Sequence, residues 1–198
     1  MSDSQGRDDA TGRPALEPAL EELRRRLADD LEAVLRAVRN LDQMQADWKA
    51  APERWSVGEI LHHLALSNRA FARALQALVR RGRRERLVCP PQGRRSWPRL
   101  RSIADVRISG PVVNPPQATP THGLSIDALR QELTDSHAAV VDRLPDLTGL
   151  DLASLRLPHP LGFDLNLYQW ADIAGAHERR HLAQIEAVTT HPAFPDRA

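Results

Sequence analysis

Residues 177–181 read H-E-R-R-H. Two histidines four apart stand one turn apart on the same face of a helix, where their ring nitrogens can share a cation. The string matches the H-E-x-x-H of zinc peptidases letter for letter, with the glutamate as general base. That reading asks for a third ligand downstream, uncharged interior positions, and an edge strand to hold substrate. Only 17 residues follow His181; His191 is their sole histidine, and Glu186 shares the helix at the wrong angle. The interior positions are Arg179 and Arg180, and no strand pair is evident. A peptidase is therefore not expected.

The pair falls on an apolar stripe: Trp170, Ile173, Ala174, His177, His181, Ile185 and Val188. Core-facing imidazoles must be satisfied by hydrogen bonds or by a metal, and the spacing leaves both open. A metal needs a further ligand, and H-H-L at 62–64 offers one. At about 100° per residue, His63 lies at the edge of its helix's apolar stripe, above Ser67, Ala70 and Ala74. Such small residues would let a neighbouring helix come close. His62 turns toward water with Arg69 and Arg73, so His63 is the candidate and His62 the bystander. His137, between Leu133 and Val140, is either a pocket residue or a hydrogen-bonded core histidine. Glu178 sits about 100° round from His177, as a surface group or a support behind the ligands rather than a base. Cys89, the single cysteine, has no motif around it and excludes an internal disulfide framework.

Four amphipathic helices are predicted to position these groups. Leu16, Leu20, Leu23, Leu27, Leu31, Val34, Val38 and Leu41 recur at spacings of three and four, in a helix opening near Pro18. The second opens at Ser56, whose capping box with Glu59 accounts for that glutamate, and Trp55 could staple it. It carries Val57, Ile60, Leu61, Leu64, Phe71, Leu75 and Leu78, and Gly82 is a natural stop. The third runs from Ser125 through Leu129, Leu133 and Val140 to Pro145. The fourth starts near Asp164 or Asn166 and ends before Pro192. This pattern predicts an all-α four-helix bundle over 15–191, between flexible tails at 1–14 and 192–198. Between the second and third helices lies a long irregular insert, about 88–121, holding seven of the 15 prolines.

Charge is nearly balanced at a formal +1, so no nucleic-acid or anionic-membrane partner is expected. The arginine run at 80–86 reads as a solvated helix end. With no apolar leader and no membrane span, a cytoplasmic protein is expected.

Three segments carry a family resemblance, in order over roughly 16–190. R-W-S-V-G-E-I-L-H-H-L resembles the W-S-x-x-E-x-x-x-H-L of the DinB/YfiT-like superfamily of metalloenzymes. L-P-H-P-L-G-F-D-L-N-L-Y-Q-W is similar to that family's proline- and glycine-bearing lead into its last helix. H-E-R-R-H-L-A-Q-I is similar to its H-[DE]-x-x-H-L-x-Q-I. The resemblance implies an up-down-down-up bundle, frequent homodimers, and one divalent metal held by His63, His177 and His181. It also implies thiol-dependent transferases or isomerases that use bacillithiol or mycothiol, and the proline-rich segment is the chief departure from it. Three neutral imidazoles leave coordination positions open, as in catalytic sites. Zn, Ni, Fe and Mn all suit such ligands. A hydrolase using metal-activated water, or a non-catalytic metal-binding stress protein, are the alternatives.

Overall fold

The computed structural model describes residues 16–89, 115–159 and 162–196. Its elements, in chain order, are α1 (Pro18–Val38), α2 (Gln43–Asp47), α3 (Val57–Arg84), α4 (Ile126–Val141), β1 (Arg156–Pro158), β2 (Asp164–Asn166) and α5 (Leu167–Thr189). The chain is mostly helical. The predicted N-terminal tail, residues 197–198 of the predicted C-terminal one and residues 90–114 of the predicted insert lie outside the described residues.

Local chemistry sets most helix starts. Ser56 and Glu59 form a reciprocal capping box at α3, and Asn166 and Gln169 form another at α5. Asp42 and Gln45 do the same for α2, a short helix not foreseen from the sequence. Ser125 caps α4, and Pro18 occupies the first turn of α1. Two expected ends move. Helix α4 stops at Val141 and yields to a 3₁₀ turn at Leu144–Leu147, where Pro145 lacks the donor that an α-helix needs. Gly82 does not end α3, which continues to Arg84. It is buried, and a Cβ there would lie 2.7 Å from Leu155 Cδ1, so glycine serves close packing.

The expectation of no strand pair is also corrected. β1 and β2 pair antiparallel, with Leu157 opposite Leu165, as a three-residue ribbon leading into α5. Strands this short offer no stretch of alternation to read, and Pro158 suits an edge.

α3 packs against both α4 and α5, and α1 lies mainly along α5. The apolar interior divides into two clusters. One gathers Leu20, Leu23 and Leu27 with Phe71, Leu75, Leu78 and the Trp170–Ala176 stretch. The other joins Val34, Val38, Val57, Ile60, Leu61 and Leu64 to Leu129, Leu133 and Ile185. Between them runs a buried polar layer: Asp30, Ser67, Asn68, Ser136, His137, His177, Glu178 and His181, with His63 at its border. A polar layer across a core costs free energy unless each group is satisfied. Among the described residues, no helix is long and apolar enough to cross a membrane.

Candidate metal centre

α5 is enclosed on several sides, and every residue from Trp170 to Glu178 is buried. The five letters at 177–181 therefore radiate toward different neighbours. His177 and His181 face His63 of α3. Glu178 is fully buried, and its Oε1 accepts from Asn68 of α3 at 3.1 Å and pairs with Nδ1 of His137 at 2.8 Å. Arg179 pairs with Asp30 of α1. Arg180 is exposed at the mouth of a cavity, and its side chain makes no hydrogen bond or ion pair among the described residues.

The three histidines expected from the sequence come together. One ring nitrogen from each lies within 4.8 Å of the others. His63 Nε2 is 3.2 Å from His177 Nε2, and His181 Nε2 is 3.1 Å from that same atom. Outer contacts fix which nitrogens carry protons. His63 Nδ1 lies 2.7 Å from the Ala118 carbonyl, which can only accept, so Nδ1 donates and Nε2 carries the lone pair. His181 Nδ1 faces Gln184 Oε1 at 2.9 Å, with the same result. Two lone pairs thus aim at a third imidazole nitrogen, which has at most one proton to share between them. His177 Nδ1 is buried without a partner. This donor set fits a cation better than it fits itself.

Electrostatics agree. Burial, followed by the neighbouring His181 and His63 and by Arg180, holds His177 well below the ordinary imidazole range. Burial and His63 push His181 down to about 3. Burial also lowers His63, aided by Arg180. All three are neutral at physiological pH, the form that binds metal. Other elements complete the surroundings: Trp55 lies over His63 at 4.8 Å between ring centroids and near-parallel to His181 at 6.2 Å. Sequence reasoning had it as a helix staple only.

The cluster opens into a cavity of about 530 Å³. Ser67, Ala70 and Ala74 line it, their small side chains leaving a hollow beside the histidines. Phe71, Leu157, Pro158, His159 and Trp170 wall one side, while Pro115, Gln117 and Ala118 close another. The end of the proline-rich segment therefore returns to the site, a role that no local pattern signals. His62 stays outside, its Nδ1 accepting from the Thr121 amide at 2.9 Å. His137 is a buried, hydrogen-bonded core histidine, and Glu178 is no surface group. Glu59 completes its capping box and meets Lys49 at 3.0 Å. Cys89 is exposed and away from the cavity lining.

The chain is 25% identical over 158 residues to YuaE of Bacillus subtilis (strain 168), an uncharacterized protein, covering 76% of this chain and 87% of that one. No solved structure matches it. The DinB superfamily model matches residues 26–185, a span that holds His63, His177 and His181 with the helices that carry them, and this chain belongs to that superfamily.

Proposed function

We propose that the chain holds one divalent metal through the Nε2 atoms of His63, His177 and His181 and is a metal-dependent transferase of small thiols. The observation that carries this is the convergence of three neutral imidazoles, two with their protons committed outward to Ala118 and Gln184. A cation bound there would lower the pKa of a coordinated thiol or water and so supply a nucleophile near neutral pH. The protein's own residues do the rest. Ala118 and Gln184 fix ring orientation, and Trp55, Phe71 and Trp170 provide apolar walls that exclude water. No cysteine lines the cavity, so the nucleophile comes from solution.

The same proposal includes an up-down-down-up arrangement of the four long helices. It is supported by partners whose numbers rise together on α1 and α5 (Arg26 with Asp172, Asp30 with Arg179) and run oppositely on α3 and α5 (His63 with His181, Phe71 with Trp170). The peptidase reading finds no support, because Glu178 is enclosed by Asn68 and His137 and does not line the cavity.

The test is elemental analysis of protein purified without nickel resin, followed by cobalt substitution. About one ion per chain is expected, and a low-molecular-weight thiol should shift the cobalt spectrum. An unchanged spectrum together with turnover of esters or amides would replace the transferase with a hydrolase.

A further inference from the structure

The cavity beside the histidines is asymmetric in charge and in shape. Its inner wall is apolar and aromatic: Phe71 and Trp170 lie 6.1 Å apart between ring centroids, with Leu157 and Pro158 beside them. Its outer lining carries Arg54, Arg180 and Glu53, all exposed. Arg179, one residue earlier, is tied to Asp30, whereas among the described residues neither Arg54 nor Arg180 has an ion pair or side-chain hydrogen bond. Arg180 also follows from the helix period. It is three residues after His177 and directly before His181, so its guanidinium belongs to the same opening as the histidines. An unpaired guanidinium at the rim of an apolar hollow is a ready receptor for a planar anion.

We propose that this cavity selects a small organic acid, with its apolar or aromatic body against Phe71, Leu157 and Trp170 and its carboxylate on Arg180. Two arginines against one glutamate leave a single positive charge at the mouth, apart from the metal, enough to receive one carboxylate. The volume, about 530 Å³, lies within the range of small-molecule sites. The inference deepens the metal-site reading, which supplies the neighbouring reactive centre, but Arg180 is judged separately from it.

The test is calorimetric titration of the full chain with 3-phenylpropanoate and with its uncharged amide, for the metal-loaded and metal-stripped protein, beside Arg180→Gln. Metal content is measured on every sample. The acid is expected to bind about tenfold more tightly than the amide, and Arg180→Gln should abolish that preference while leaving amide binding unchanged. The preference should survive metal removal. An acid preference untouched by Arg180→Gln but lost on metal removal would overturn the inference and place the carboxylate on the metal. Equal binding of acid and amide to the wild type would also overturn it. Absence of metal from all samples would sink the metal reading alone, since the stripped protein still reports on Arg180.

Discussion

The two sides of α5 spend their buried polar groups differently. Toward α1, opposite charges meet: Arg26 lies 3.4 Å from Asp172 and 2.8 Å from the Tyr168 hydroxyl, and Arg179 pairs with Asp30. Gly175 makes room for that second pair, since a Cβ would collide with the Asp30 carboxylate. Toward α3, like meets like: three neutral imidazoles point nitrogen at nitrogen. The first arrangement pairs its charges within the chain, although Arg26 Nε is buried without a hydrogen-bond partner. The second brings three ligand nitrogens together at one point, an arrangement compatible with a cation. Satisfied polar groups inside a helical core argue for structure; converging acceptors with committed outer protons argue for a ligand.

The largest expected effect breaks the second arrangement. His63→Ala, His177→Ala or His181→Ala should each remove most of the bound metal, measured per chain by elemental analysis. His62→Ala should leave it unchanged, because His62 lies outside the cluster and meets Thr121 instead. Loss from His62→Ala with retention in His63→Ala would reassign the ligand.

The α1 side should respond in the opposite way. Asp30→Leu removes the carboxylate paired with Arg179 and should cost on the order of 1–3 kcal/mol in urea unfolding, with metal content intact. Restoring shape without charge, by Asp30→Leu with Arg179→Leu, should cost less than Asp30→Leu alone. A double variant as unstable as the single ones added together would mean the two charges are not acting as a pair. On the proposed metal reading, no comparable double replacement rescues the histidine side, because its partner is not a residue.

Glu178 tests the motif between the two sides. Glu178→Gln keeps the acceptor that faces Asn68 and His137 but removes the charge, and a loss of about 1–2 kcal/mol is expected with metal retained. Neither this variant nor the wild type should cleave casein. Metal-dependent cleavage by the wild type that Glu178→Gln abolishes would restore the peptidase.

The contrast also explains what the sequence could show. His63, His177 and His181 were legible because helical spacing places side chains on faces, and Ser56 and Asn166 because capping is local. Glu178 was left open between surface and support because a projection gives an angle but not the number of neighbours: α5 is buried on almost every side through Glu178. Ala118 acts through its backbone carbonyl, which any residue would supply, and it reaches His63 across 55 positions of chain. The β1–β2 ribbon is too short to carry a periodic signal.

The smallest effect separates burial from ligation. His159 lies at the cavity wall, stacked on Phe163 at 4.4 Å between ring centroids, and burial pushes it down to about 4. It is no member of the histidine cluster. The unfolded chain takes up this proton near the ordinary value of 6.5, while the folded chain resists it until about 4. Its contribution to stability is therefore full above about 6.5, falls as the pH drops toward 4, and is constant below that. His159→Phe keeps an aromatic ring on Phe163 but cannot take up the proton. In metal-free protein, the fall in urea midpoint between pH 7.5 and 4.5 should then be smaller than in the wild type, though not absent, because the clustered histidines titrate in the same direction. At neutral pH, metal content should not change. An unchanged acid slope would mean His159 is as solvated in the folded chain as in the unfolded one; a loss of metal would tie the ribbon to the metal centre itself.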